Sequence, residues 1–564
     1  MNFNDYKYER INIEQTKEKF SSLIEKFSEA ENVEEQIRYI DEINSLRNHI
    51  DTMTTLVSIR HSINTNDKFY DTENDYCDEI SPVVFGFVSQ FYKALTASRF
   101  RNELEEKYGK FLFDTAELSL KTFDEEIIPE LQRENKLSSR YSKLIASAKI
   151  EFDGEEKNLS QMVPYTQSKD RSIRIEASRK VANFFKENME KFDTIYDSLV
   201  KVRTSIAHRL GFKNYVELGY ARLSRIDYNS DMVASYRKQV LENIVPLHTE
   251  LRKRQEKRLG VEKLRFYDEP IKFNSGNADP HGDPEWILNH GKTMYKELSK
   301  ETDEFFTFMT EKNLLDLLSK KGKMSGGYCT YIPDYKSPYI FANFNGTAHD
   351  IDVLTHEAGH AFQVYESRSY EVPEYLWPTY EACEIHSMSM EFLTWPWMNL
   401  FFKGDTDKYK FIHLSESLLF IPYGVTVDEF QHWVYENPEA SPSERRKKWL
   451  EIENRYLPTR DYGEVEELKE GIFWFRQGHI FASPFYYIDY TLAQVCAFQF
   501  WIKANEDRDA AWKEYLNLCR LGGSKSFFGL MEAANIKNPF TEGTIASVIP
   551  EIRKFLDSID DINM

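Results

Sequence analysis

Two histidines and a glutamate stand together in the run Thr355-His356-Glu357-Ala358-Gly359-His360. On a helix, residues four apart share a face, so both imidazoles can reach one cation. A glutamate beside the first histidine can hold and deprotonate a water at that cation. The chemistry on offer is metal-dependent hydrolysis. The competing reading is a surface helix that merely contains two histidines.

A hydrolytic metal site commonly takes three protein donors and keeps one position open, so the chain must supply another ligand. The candidates lie in Tyr380-Glu381-Ala382-Cys383-Glu384-Ile385-His386 and the following Ser387-Met388-Ser389-Met390-Glu391. Helical spacing puts Glu381, Glu384, Met388 and Glu391 on one stripe and rotates His386 away from it. Three carboxylates on one stripe are costly to bury unless a cation or histidines neutralise them. Glu384 is the central choice for the ligand. Glu381 and Glu391 are then expected to accept the free ring N–H of a ligating histidine and fix its tautomer.

The elements that must position these groups are legible nearby. Asp350 and Asp352 suit a helix N-terminus, and Val353, Leu354, Ala358, Ala361, Phe362 and Val364 supply apolar surface to bury that helix. Just before it, Gly326 to Pro333 and Tyr339 to Phe344 are β-rich runs around a turn at Asp334 to Pro338, which predicts a hairpin. An exposed edge strand there can pair with an extended peptide, and Ala342, Asn343 and Phe344 are the expected contact.

Further out the pattern is helical. Phe20, Leu23, Ile24 and Phe27 form one apolar stripe, and Ile37, Ile40, Ile43, Leu46 and Ile50 form a second. Ser81-Pro82 reads as the cap and first turn of a third helix. Glu151 to Gly154 reads as a linker, Val163-Pro164-Tyr165 as a turn, and Lys263 to Glu269 as a short strand. A soft boundary near residue 200 separates a helical N-terminal lobe, 1–200, from a catalytic lobe, 201–564.

The chain of 564 residues exceeds what one core usually organises, so at least two lobes are expected. Its net charge of −20 argues against nucleic acid, which needs clustered Lys and Arg. The run Arg445-Arg446-Lys447-Lys448 reads as a solvated helix face. No signal peptide or membrane-length apolar run is visible, so a soluble, cytoplasmic protein without a membrane partner is expected. Five scattered cysteines without a C-x-x-C pair read as reduced core thiols.

His356-Glu357-Ala358-Gly359-His360 followed by Glu384 and Glu391 resembles the core of the thimet oligopeptidase and oligoendopeptidase F family of zinc metallopeptidases. Lys323 to Tyr328, Phe341 to Thr347 and Glu429-Phe430-Gln431-His432-Trp433 extend the likeness. Arg476-Gln477-Gly478-His479-Ile480-Phe481, leading into Pro484 to Tyr490, is similar to the oligoendopeptidase F and bacterial Pz-peptidase branch. The likeness runs in motif order from about residue 160 to 545.

The resemblance implies a mainly α, two-lobed helical ellipsoid with a deep channel, a zincin-type active-site helix and a small β-sheet beside it. It implies one zinc per chain on His356, His360 and Glu384, with Glu357 as general base. His479, Tyr487 and Tyr490 are implied to face the substrate; Ser483-Pro484-Phe485 replaces a glycine-rich stretch of thimet-type members, so a one-residue shift would bring in Tyr486. The expected activity is endopeptidase cleavage of short unfolded peptides. Two alternatives stand beside it: a carboxypeptidase or dipeptidyl carboxypeptidase of similar build, and a non-catalytic peptide-binding protein with structural zinc. Monomer and homo-oligomer are both open.

Overall fold

The computed structural model describes residues 1–324 and 326–564. The described residues are mainly α-helical, with two small sheets among them. Asn12, Asn32 and Asp67 cap helices Ile13–Glu29, Val33–Ile63 and Lys68–Thr96 through their side chains. These three helices pack on one another around Phe20, Phe27, Ile40, Ile43, Phe87 and Phe91. Pro82 lies inside the third helix rather than at its start, because Asp67 already supplies the N-terminal cap upstream.

This first core runs from Ile11 to Ala116 and is completed by Val372 and Tyr375 from far along the chain. A second, larger core takes Phe3, Tyr6, Leu56 and Ile59 together with most buried apolar residues from Ile127 onward. Residue 200 lies within helix Met189–Arg209, and the change from one core to the other comes nearer residue 120.

Several local expectations change in the fold. Glu151 to Gly154 belongs to a two-stranded hairpin, β1 (Ile150–Phe152) with β2 (Glu155–Lys157). Asp153 and Gly154 turn it with φ of 53° and 74°, the left-handed pair a tight hairpin requires. Val163 to Tyr165 continues a helix, Leu159–Thr166, whose capping box at Asn158 and Gln161 starts it firmly enough to carry Pro164. Lys263 to Glu269 is not a strand; a 3-10 turn, Phe266–Asp268, forms there because Asp268 accepts from Arg265 N and from Arg171 and Arg174. The basic run is only half solvated. Arg445 is buried against Asp197 and Arg446 pairs with Asp193, both from helix Met189–Arg209.

The hairpin before the metal helix forms as β4 (Tyr328–Ile332) and β5 (Ser337–Phe344), antiparallel, turned by Pro333–Tyr335 and a left-handed Lys336. A third strand joins it. β3 (Leu315–Leu318) pairs parallel with β5, giving the order β3-β5-β4. β5 is therefore central: β3 pairs along it as far as Phe344 on one side, and β4 as far as Phe341 on the other. The open edge next to the helix His349–Ser367 is β4.

Candidate active site

Helix His349–Ser367 starts where Asp350 accepts hydrogen bonds from the backbone N–H of Asn345 and Gly346, both 2.8 Å, which ties the end of β5 to the first helical turn. Ile351, Leu354, Ala358, Ala361 and Phe362 are buried and fix its rotation. His356, Glu357 and His360 then project into one cavity.

Helix Tyr380–Leu393 lies across it, buried between helix His349–Ser367 and helix Tyr487–Glu506. Gly359 permits the approach. A Cβ at that position would stand 2.6 Å from Ser387 Cα and 2.8 Å from the His386 carbonyl oxygen. The glycine between the two histidines thus lets the two backbones touch, which brings Glu384 to the imidazoles.

Glu384 Oε2 lies 3.3 Å from His356 Nε2 and 3.4 Å from His360 Nε2. One donor atom from each of the three residues falls within 4.8 Å of the others. Although burial alone would raise it, His360 and His356 hold the Glu384 carboxyl well below the usual range. Ser387 donates to the same oxygen at 3.0 Å. Two imidazole nitrogens and a carboxylate oxygen suit zinc, a borderline cation. The charges fit as well: Glu357 and Glu384 are buried beside the two imidazoles, negative charge that a divalent cation offsets.

His356 has a second carboxylate. Its Nδ1 is 2.7 Å from Glu391 Oε1, while Glu391 Oε2 is 2.7 Å from His413 Nε2. Trp395 Nε1 donates to the other nitrogen of His413 at 3.3 Å. Both histidines pull the Glu391 carboxyl down to about 2, overcoming its burial. Sequence reasoning missed His413. It stands in the middle of helix Thr406–Glu436 with no neighbouring motif to mark it.

Glu381 goes elsewhere. In the first turn of its helix it faces Arg225 and Asp489 instead of a ligand imidazole, and burial pushes its carboxyl up to about 7 against the pull of Arg225. Helical spacing placed it on the stripe, but the stripe turns away from the cavity toward the N-terminal end of the helix. Glu357 lines the cavity, its carboxyl raised by burial. Gly327 passes directly over it, with a would-be Cβ only 3.4 Å from Glu357 Oε1.

The opposite wall comes from the segment after Gln477. Tyr486 donates to Glu384 Oε1, and Tyr490 lines the same cavity with its ring centroid 5.0 Å from that of Tyr486. His479 Nε2 is 3.3 Å from the Tyr490 hydroxyl. Tyr423 donates to Gln477 Oε1 and the Gln477 amide donates to His479 Nδ1, which assigns the ring proton to Nε2. Burial lowers the His479 pKa against the pull of Glu384, which favours the neutral ring. Tyr487, expected at the substrate, packs one layer behind against Phe420, Tyr423 and His479. Tyr486, the residue just before helix Tyr487–Glu506, stands on the cavity wall instead.

Ala342, Asn343 and Phe344 do not face the cavity either. The Ala342 carbonyl accepts from Lys323, Asn343 donates to the carbonyls of Met324 and Gly326, and Phe344 pairs with Leu318. The β-edge on the cavity wall is Gly327 to Thr330. Helices of the first core, through Phe85, Val88 and Phe111, form the facing wall of a space of about 1220 Å³. That is larger than a typical small-molecule site.

Donors of this kind on the floor of so large a cavity belong to a metallopeptidase. Residues 3–123 match the Peptidase M3 N-terminal domain and residues 164–548 match Peptidase family M3, so the chain belongs to peptidase family M3. Over 417 residues it is 24% identical to an oligoendopeptidase F homolog of Borreliella burgdorferi, covering 70% of this chain and 69% of that one. A solved structure of Pz peptidase A with an inhibitor is 58% identical with a TM-score of 0.98, over 99% of this chain and 100% of the other. A Bacillus anthracis protein provisionally named oligoendopeptidase F is 60% identical with a TM-score of 0.94, over 100% of this chain and 99% of its own. The family is one of metalloendopeptidases. Among the described residues no helix is long and apolar enough to cross a membrane.

Proposed function

We propose that this chain is a zinc-dependent endopeptidase of short, unfolded peptides. The observation that carries the reading is the meeting of His356, His360 and Glu384 beside Glu357 on the floor of the cavity, next to the open edge of β4. His356, His360 and Glu384 would hold one zinc ion, which would supply a water of near-neutral pKa and Lewis-acid polarisation of the scissile carbonyl.

The chain's own groups do the rest. A peptide lies along Gly327 to Thr330 as an added strand, with backbone hydrogen bonds giving affinity that tolerates many sequences. Glu357 takes the proton from the attacking water and delivers it to the leaving amine nitrogen. Its burial supports that role, because a raised carboxyl pKa brings the base closer to the working pH. Tyr486 and Tyr490 are the donors that meet the developing oxyanion, and His479, behind them, holds the Tyr490 hydroxyl through Nε2. A walled cavity of this size admits an extended chain and excludes folded proteins. The five free thiols suit a reducing, cytoplasmic location.

The test is mass spectrometry of a mixed peptide library, incubated with and without a chelator, with C-termini free or amidated. Internal cuts that persist on amidated peptides and vanish with chelator are expected. Cuts confined to free C-termini would instead make the chain a carboxypeptidase, and intact peptides would make it a binding protein.

A further inference from the structure

Phe485 has φ of +68°, a left-handed backbone that residues with a Cβ rarely adopt, and a bulky ring makes it rarer. Such a conformation persists only where its surroundings over-determine it. They do so here from three sides. Its backbone N–H donates to Gln431 Oε1 at 3.1 Å. Its carbonyl accepts from Arg225 Nη2 at 2.6 Å, and the same Nη2 lies 2.6 Å from Asp489 Oδ1.

The ring is fully buried. Its centroid is 4.8 Å from that of His432 and 5.6 Å from that of Tyr435. Helix Tyr215–Arg222 leaves a slot for it at Gly219, where a Cβ would come within 2.6 Å of Phe485 Cδ2.

The reversal at Phe485 joins helix Gly478–Ala482 to helix Tyr487–Glu506. It therefore sets His479 and Tyr486 face to face, with ring centroids 5.6 Å apart. Arg225 grips the chain at Phe485 and again at Asp489, so both flanks of the Tyr486–Tyr490 turn hang from one buried guanidinium. None of Phe485, Gln431, Arg225 and Gly219 is within the metal donor set.

We propose that Phe485 is a positioning residue: its ring, locked in the Gly219 slot, fixes the register that presents Tyr486 and Tyr490, and not Tyr487, to Glu384. The inference rests on the reading of those tyrosines as oxyanion donors in the proposed peptidase. Gly219 matters through Phe485 alone, since its missing side chain is what makes room for the ring.

The test compares the zinc-loaded wild type with Phe485→Ala, Gly219→Ala and the double variant Phe485→Leu/Gly219→Ala. Amide hydrogen exchange is read at residues 483–490 and 349–367, with kcat and KM on an internally quenched peptide. Phe485→Ala and Gly219→Ala are expected to speed exchange at 483–490 only, keep one zinc per chain, and lower kcat about tenfold or more. KM should move by less than about threefold, and the smaller leucine should recover part of the kcat lost in Gly219→Ala.

A folded Gly219→Ala with unchanged kcat in an active background overturns the proposal. So does exchange that rises equally in 349–367. If Phe485→Ala fails to fold, the Gly219→Ala and double variants decide. A wild type that hydrolyses no peptide sinks the proposed function separately, and unchanged exchange at 483–490 would still sink the anchor.

Discussion

The Nδ1 of His356 lies 2.7 Å from Oε1 of Glu391, on the side of the ring away from the nitrogen that meets Glu384. The second carboxylate therefore sets the tautomer of the first imidazole, leaving Nε2 unprotonated for a cation. Glu391→Gln should weaken zinc affinity by about 10- to 100-fold without unfolding the chain, measured by competition with a chromophoric chelator. Wild-type affinity in that variant would detach Glu391 from the site.

Glu357→Gln keeps the cavity shape and removes the base. Zinc stoichiometry should stay at that of the wild type while kcat falls at least about 10²-fold. Steady-state hydrolysis of a quenched peptide, with metal content measured on the same sample, checks this. Turnover within a factor of two of wild type would exclude Glu357 as the proton carrier.

The tyrosines separate by position. Tyr486→Phe and Tyr490→Phe should each lower kcat on the order of 10²-fold, whereas Tyr487→Phe should change it by less than about threefold. The three kcat values, at matched thermal midpoints, give the answer. A Tyr487→Phe loss equal to that of Tyr486→Phe would put the register back by one residue.

Gly359→Ala adds a Cβ 2.6 Å from Ser387 Cα, and that neighbour is backbone that cannot swing aside. The two metal-site helices must separate. A loss of about 1 to 3 kcal/mol in stability is expected, together with weaker zinc binding as Glu384 withdraws. Denaturant unfolding and metal titration would reveal it; a variant indistinguishable from wild type in both would mean the helices have slack.

Two buried carboxylates predict acid sensitivity. His432 and Arg237 hold Asp428 down at about 2 against its burial, and Arg460 and Arg252 do the same for Glu269. A depressed carboxyl stabilises fully above its unfolded pKa and loses that contribution as pH falls through the folded value. Stability should fall by on the order of 2 to 3 kcal/mol per group between about pH 4.5 and 2. Glu381 has the opposite sign: raised to about 7, it costs stability as pH climbs from about 4.5 to 7. Glu381→Gln should thus gain in thermal midpoint at pH 8 relative to pH 5, and an equal change at both would contradict the assignment.

Much of the site was legible because helical periodicity is local. Four-residue spacing alone put His356 and His360 on one face, and the same period set Glu384 and Glu391 on one stripe of the next helix. The apolar stripes around Phe20 and Ile40 announced the first lobe in the same way, and the hairpin showed in its β-branched and aromatic run.

The rest was decided by residues distant in the chain. Whether β5 is an edge or a centre depends on β3, a four-residue strand too short to announce itself, and the strand on the cavity wall is Gly327–Thr330 and not Ala342–Phe344. Glu381 left the histidines for Arg225, and His413 came to Glu391 from a separate helix. The choice of Tyr486 over Tyr487 hangs on a left-handed Phe485, held by Gln431, Arg225 and a gap at Gly219. A sequence fixes which way a side chain leaves its own helix or strand, because that follows from the repeat of the backbone. What stands opposite that side chain is settled only when the elements pack.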